Sequence, residues 1–363
     1  MQTWACVCRL GGLGDNLIAA SVLAPLKRLG YMVEMLTSES FSSVFQNNPN
    51  IDKLSVKRDE DIPKGGTDWV KWFVLRSHEY MGGLWNLSHS CEKQHALFET
   101  DTAFWWPQNF RRKICGGSYL ETVWDIVGLP HPYRFGERLF HPTEEEWDRA
   151  RATRDSAIGG RYIAWALTGS RPDKVWPYTT HAIARIIKEL DAQVVMVGVG
   201  GQQFEMAKVV QREVQRTNSS DRGLHLALSP ETSDPGGHQH WSTRRSLTQV
   251  LLSDLVVTPD TGIAWAAAME PMPKIVMVSH ASDENITKHW VNTTTLHADP
   301  KRVPCWPCHR LHNSMSTCVP SKENDQTAAC MSDISVETLM ECVSKALRPT
   351  PKIAKRELEV ADA

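Results

Sequence analysis

Asp260-Thr261-Gly262 follows an apolar run, Leu255-Val256-Val257, and leads into the small residues Ala264, Ala266, Ala267 and Ala268. Pro259 is expected to stop the strand, Asp260 and Thr261 are N-cap types, and Gly262 lets backbone come close to a ligand. A strand that feeds a helix start aims unpaired N–H groups and the positive dipole end outward, which suits a phosphate. Three residues are a weak signal, and an ordinary strand-to-helix connection fits them equally well. A second turn of this kind, Gly11-Gly12-Leu13-Gly14-Asp15-Asn16, joins a strand over 4–10 to a helix over 17–29. Its G-G-x-G spacing is not the G-x-G-x-x-G of dinucleotide folds, and no acidic residue closes the next strand, which argues against an NAD site. Asp15 is the ionisable residue of this turn, and the ordinary role for an aspartate there is to cap the helix.

Cysteine supplies a third constellation. Cys305, Cys308, Cys318 and Cys330 stand in the order C-x2-C-x9-C-x11-C within a loop-like stretch that also holds Trp306, His309 and His312. In a reducing compartment this pattern favours a metal over disulfides, and four thiolates suit a tetrahedral structural Zn or Fe. The alternative is reduced thiols packed as small hydrophobes, the reading given to Cys6, Cys8, Cys91, Cys115 and Cys342.

The elements that must position these residues alternate along the chain. A strand over 31–37, a helix over 41–45 and a strand over 52–56 continue the first turn into βαβαβ, the start of a parallel sheet. Beyond Lys57 the rhythm loosens into an aromatic segment containing Trp69, Trp72, Phe73, Trp85, Phe104, Trp105 and Trp106. Most of the chain's 14 tryptophans are expected in the core or at interfaces, with a few left to line a cleft. A charged helix over 144–153, closed by Gly159-Gly160, reads as a connection between domains. A second series follows: strands over 162–167, 194–198, 224–228, 255–257 and 274–278, with helices over 179–190 and 204–216 between them. The stretch 229–243 reads as a surface loop and the residues after 347 as a mobile tail. The predicted class is α/β, with an N-terminal Rossmann-like domain over 1–143, a connection over 144–160, and a C-terminal Rossmann-like domain over 161–347 that includes the cysteine segment 305–330.

Composition bounds the function. The 363 residues are 41% hydrophobic and 23% charged, and 40 basic against 42 acidic residues leave a net charge of −2. This describes a soluble globular protein without a dedicated nucleic-acid surface. No apolar run is long enough to span a membrane, and the N-terminus lacks the features of a signal peptide, so a cytoplasmic protein is expected.

Three stretches together resemble glycosyltransferase family 9, best known from the ADP-heptose lipopolysaccharide heptosyltransferases. They are GDNLIAASVLAPLKRLGYMVEMLTSESFSSVFQNNPNIDKL near the N-terminus, TGSRPDKVWP at 168–177 and LSDLVVTPDTGIAWAAAM at 252–269. The resemblance implies the GT-B architecture, two Rossmann-like domains facing across a cleft, with acceptor held mainly by the first and nucleotide sugar by the second. It implies inversion at the anomeric carbon without a catalytic metal. It also implies roles: Gly14 and Asp15 fall on the glycine-aspartate motif, where the aspartate is the general base. Lys174 falls on a lysine that faces the diphosphate, with Ser170 and Arg171 beside it, and Asp260, Thr261 and Gly262 on the D-T-G that contacts donor sugar and phosphates. Chemically, a carboxylate can take the acceptor's proton while a cation and a helix start stabilise the departing diphosphate.

The chain departs from the family at Trp265, which stands where D-T-G-x-x-H has its histidine. A tryptophan stacks but offers a single N–H donor, so a donor other than ADP-heptose itself, or binding of the base more than of the sugar, is expected. The cysteine order is similar to that of family 9 relatives that glycosylate autotransporter proteins and carry an iron-binding finger, though the gaps here are shorter. The partners implied are a nucleotide-sugar donor and a hydroxyl acceptor. Glycan, protein and modified nucleic-acid base all remain open as the acceptor. Two other classes compete: a sugar-nucleotide epimerase or hydrolase on the same fold, which needs no acceptor, and a non-catalytic nucleotide-sugar-binding protein.

Overall fold

The computed structural model describes residues 3–62, 66–80, 82–91, 94–130, 137–155, 160–198, 201–219, 223–226, 243–323 and 326–348. The expected loop over 229–243, save its last residue, and the tail beyond 348 lie outside them. Two parallel sheets carry the chain. The first is built from β1 (Trp4–Arg9), β2 (Met32–Ser38), β3 (Lys53–Lys57) and β4 (Leu84–Asn86) in the order β3-β2-β1-β4. A two-residue strand, β5 (Leu97–Phe98), follows. The second sheet contains β6 (Arg161–Ala166), β7 (Ala192–Val197), β8 (Leu224–Leu226), β9 (Leu255–Pro259), β10 (Lys274–Met277) and β11 (Thr293–Leu296) in the order β11-β10-β9-β6-β7-β8.

Both are Rossmann-like orders in which the chain starts mid-sheet and later crosses to the other side. The crevice where the order reverses lies beyond the carboxyl ends of the two strands that flank it. In the second sheet those strands are β6 and β9, and their ends carry the loop to Lys174 and the turn Asp260-Thr261-Gly262. In the first they are β1 and β4, and β1 leads through Leu10 into Gly11-Gly12. Strands with helices on both faces are buried on both, which explains why Ala5 to Cys8 in β1 and Ile163 to Ala166 in β6 are nearly continuous apolar runs with almost no exposure.

The structure corrects several boundaries. The expected helix over 17–29 is two helices, Leu13–Ala20 and Leu23–Arg28, interrupted at Ser21 and Val22, whose N–H groups bond at i−3 to Ile18 and Ala19. The strand expected over 255–257 runs on to Pro259, which is its last residue and is matched in register to Met277. The 274–278 strand is not the last: β11 pairs beside it, and β12 (Arg310–Leu311) pairs in parallel with β5, tying the cysteine segment to the N-terminal half. Such short strands carry too little pattern to be read from sequence.

The two halves are joined through side chains as well as chain. Arg244, on the helix Thr243–Leu252, forms a two-armed ion pair with Glu146 at 2.5 and 2.6 Å. It also donates to the carbonyls of Ser43 at 2.7 Å and His141 at 2.9 Å. Arg138 pairs through both arms with Glu270, at 2.7 and 3.1 Å. Planar guanidinium forks hold geometry in a way that a lysine would not.

Candidate functional site

The N-terminal wall of the cleft is organised by Arg9. It ends β1, is 1% exposed, and reaches Asp15 Oδ2 at 2.8 Å and the Leu87 carbonyl at 2.8 Å. Asp15 does not cap the helix; Gly12 takes that place at φ +70°, and Asp15 lies in the first turn. A Cβ at Gly12 would stand 2.0 Å from Asp15 Oδ2, so the carboxylate occupies the space that only glycine leaves. Asn16 latches the turn: its amide donates to the carbonyls of Gly11 at 3.0 Å and Gly12 at 2.7 Å, and its oxygen accepts from Thr37 at 2.9 Å. The result is a carboxylate with 24% side-chain exposure at the edge of the cleft, fixed from behind by a buried cation.

On the opposite wall, the turn Pro172–Lys174 presents two residues in two directions. Lys174 faces the cleft and its Nζ sits 2.9 Å from Asp260 Oδ2, both side chains largely buried. Asp260 is therefore an ion-pair partner and not a cap; Thr261 caps the helix Gly262–Ala267, accepting from Ala264 N at 3.3 Å. Asp173 turns away and is 1% exposed. It accepts from Ser279 Oγ at 3.1 Å, with His280 Nδ1 at 3.6 Å. Burial pushes its carboxyl up, but His280 and the Lys174 charge outweigh that and hold it below the usual range. Ser170 is exposed at the rim, while Arg171 bonds to Asn313 and lies over the Phe98 ring at 5.4 Å.

The two glycine turns meet. A Cβ at Gly14 would lie 3.1 Å from Gly262 Cα, and one at Gly262 only 2.7 Å from Gly14 N. The helices Leu13–Ala20 and Gly262–Ala267 pack at this point, and a side chain on either glycine would wedge the halves apart. Around the contact opens a cleft of about 1020 Å³, lined by Gly14 and Asp15 from one half and by Ser170, Arg171, Lys174, Asp260, Thr261, Gly262 and Trp265 from the other. Residues far apart in sequence thus share one space.

Trp265 is 3% exposed and stacks edge-on against Trp290 at 4.7 Å, with one ring edge toward Gly14 and the cleft. Its position is that of a packing residue whose border faces the cavity. Arg9, Asn16 and Asp173 escaped the sequence reading. Of these only Arg9, a cation ending an otherwise apolar strand immediately before a glycine turn, carries a local signal.

Cys305, Cys308, Cys318 and Cys330 converge on a second, small cavity of about 40 Å³, whose wall also includes Asp173, His280 and His312. Burial, above all, pushes the Cys308 and Cys318 thiols up to about 12 and raises those of Cys305 and Cys330, with the neighbouring cysteines adding to the effect at Cys308, Cys318 and Cys330. Among the described residues, no three His, Cys, Asp or Glu side chains are set as ligands of one ion. The four thiols thus share a space without forming a preassembled ligand shell.

No family model and no curated protein sequence matches the chain. Solved structures do. Escherichia coli ADP-heptose LPS heptosyltransferase II superposes with a TM-score of 0.59 at 13% identity, over 95% of this chain and 98% of that one. A glycosyl transferase family 9 structure from Veillonella parvula DSM 2008 gives 0.62 at 15% identity, covering 96% and 98%. TibC, an iron-containing dodecameric glycosyltransferase from enterotoxigenic E. coli H10407, gives 0.54 at 12% identity, covering 95% and 76%. Likeness at this length and this identity is likeness of fold. Two Rossmann-like halves with their glycine turns in contact across a cleft are therefore the GT-B fold of the ADP-heptose heptosyltransferases and the family 9 structures.

Proposed function

We propose that the chain is an inverting glycosyltransferase that moves a sugar from an ADP-heptose-like nucleotide diphosphate to an acceptor hydroxyl. The observation that carries this reading is the placement of Asp15 and Lys174 on facing walls of one cleft. The acceptor oxygen attacks the anomeric carbon as the bond from that carbon to the diphosphate oxygen breaks. Asp15 takes the hydroxyl proton, and the nucleoside diphosphate leaves with its charge beside Lys174 and the Asp260-Thr261-Gly262 turn. Gly14 and Gly262 keep the walls close, and Ser170 and Arg171 border the diphosphate end. No step in this scheme needs a metal. Anomeric-proton NMR of the product formed from an α- or β-linked donor tests inversion; retention of configuration would replace the single displacement by a two-step route.

Trp265 bears on which donor is used. Its edge borders the cavity, so Trp265→His is expected to change the ratio of kcat/KM between two donors that differ in the sugar, by several-fold or more. A competition assay with paired donors reads this directly. An unchanged ratio together with a lower melting temperature would leave the ring a packing element only.

We propose that the cysteine cavity takes up a structural Zn or Fe when its four thiols, which form no ligand shell as they stand, close on the ion. Four thiols, that of Cys330 buried and the other three half-buried, line a cavity of about 40 Å³, and Asp173 Oδ1, buried in the same wall, accepts no hydrogen bond among the described residues, leaving negative charge that a cation would satisfy. Cys305, Cys308, Cys318 and Cys330 would hold the ion as thiolates, and bound there it would fasten the 305–330 segment. Elemental analysis is expected to find about one Zn or Fe per chain, and Cys308→Ser to lower both metal content and melting temperature, because such binding is coupled to folding. Wild-type protein that purifies without metal, with Cys308→Ser leaving its melting temperature unchanged, would return these residues to packed thiols.

A further inference from the structure

We infer that His280 is a specificity-determining residue of the donor site, whose Nε2 accepts a hydrogen bond from a hydroxyl of the sugar that is transferred. This rests on the transferase reading above and names a contact on the wall that carries Lys174. His280 follows β10 after Val278 and Ser279, and β10 pairs with β9, which ends at the Asp260 turn. The residue therefore belongs to the same carboxyl edge of the second sheet as the rest of that wall. It is 2% exposed and lines two spaces, the cysteine cavity and the cleft. Ser279 and Asp173, the groups nearest its Nδ1, line the cysteine cavity and not the cleft. The ring edge that borders the cleft is thus the opposite one, which carries Nε2.

The groups behind the ring decide which nitrogen carries the proton. Ser279 Oγ gives its one hydrogen to Asp173 Oδ2 at 3.1 Å, so at 3.2 Å from Nδ1 it can only accept. Asp173 Oδ2 itself, 3.6 Å from the same nitrogen, is a carboxylate oxygen and also only accepts. Nδ1 therefore bears the N–H, and in the neutral ring the lone pair is on Nε2. Among the described residues, Nε2 has no hydrogen-bond partner. A lone pair does not suit the diphosphate, whose oxygens are acceptors themselves; it suits a hydroxyl. In the transferase reading the diphosphate is taken by Lys174 and the Asp260-Thr261-Gly262 turn, and the sugar it carries brings hydroxyls to this wall. Trp265 can only donate, so His280 supplies an acceptor that the helix Gly262–Ala267 lacks at that position. A sugar without a hydrogen to give would leave this lone pair unpaired in a dry contact, which is how such sites discriminate.

The test titrates the full-length protein calorimetrically with ADP, with ADP-heptose and with ADP-heptose analogues in which single heptose hydroxyls are replaced by fluorine, which cannot donate. The expected result is that one analogue binds wild type about tenfold or more weakly than ADP-heptose does, and that this difference disappears in His280→Phe while ADP binds both proteins alike. The same set of penalties in His280→Phe as in wild type would overturn the inference. So would an equal loss of affinity for ADP, which would put the ring against the nucleotide, and so would failure of wild type to bind ADP-heptose. Each of these results leaves the transferase reading standing wherever the protein still releases nucleoside diphosphate from a nucleotide sugar; absence of any donor cleavage would sink that reading, while the fluorine penalties would still decide the contact. If His280→Phe does not fold, nitrogen-15 NMR of histidine-labelled wild type decides. A histidine with an unprotonated Nε2 that responds to ADP-heptose and not to ADP supports the contact, and the lack of one overturns it.

Discussion

Asp15→Asn is expected to lower sugar transfer by about 10²-fold or more while leaving the fold and nucleoside-diphosphate affinity nearly unchanged. The size is that of losing a general base, whose work is done only as the acceptor hydroxyl gives up its proton. Asparagine is the informative replacement. It keeps an oxygen that can accept from Arg9, where the carboxylate now sits 2.8 Å away, and it fits the space over Gly12. Alanine would remove the ion pair as well and confuse chemistry with the cost of disturbing a buried guanidinium. Rate assays at saturating donor, with calorimetry of nucleoside-diphosphate binding in parallel, separate the two effects. Equal loss of affinity and rate would make Asp15 a structural partner of Arg9.

Lys174→Ala is the second large effect, expected to weaken nucleoside-diphosphate binding by about 10²-fold. Two contributions act in the same direction. The ammonium that faces the diphosphate is lost, and Asp260, almost buried and paired with Lys174 at 2.9 Å, becomes an uncompensated anion where the ligand's negative charge must go. The double change Lys174→Ala with Asp260→Asn is therefore expected to recover part of the affinity. That recovery distinguishes an electrostatic role from a simple contact, because removing a second polar group would otherwise weaken binding further. Wild-type affinity in Lys174→Ala would displace the diphosphate from this wall.

Much of this arrangement was legible from local chemistry. Alternating strand and helix signals gave two Rossmann-like series, and the turns Gly11–Asp15 and Asp260–Gly262 stood out because glycine between a strand and a helix has a steric meaning. What local chemistry could not supply was pairing across the chain. Asp260 and Thr261 both read as caps, and only the approach of Lys174 from β6's loop decides that Thr261 caps while Asp260 pairs. Asp15 likewise has the chemistry of a cap, and only its pairing with Arg9 and the positive φ of Gly12 decide otherwise. The contact of Gly14 with Gly262 has no sequence signature at all, since each glycine is explained by the other. In the aromatic segment, β4 and β5 are held by neighbours from other parts of the chain, and strands of three and two residues have no periodicity to detect.

The most direct test of the central claim is cleavage of the donor. Purified protein is incubated with a panel of nucleotide sugars that includes ADP-heptose, with and without acceptor alcohol, and nucleoside diphosphate release is followed by NMR for wild type, Asp15→Asn and Lys174→Ala. The account predicts that wild type cleaves at least one donor and places its sugar on the acceptor with inverted configuration, both variants being about 100-fold slower or worse at subsaturating donor. Cleavage of none of the donors, or cleavage at the wild-type rate by both variants, would contradict it.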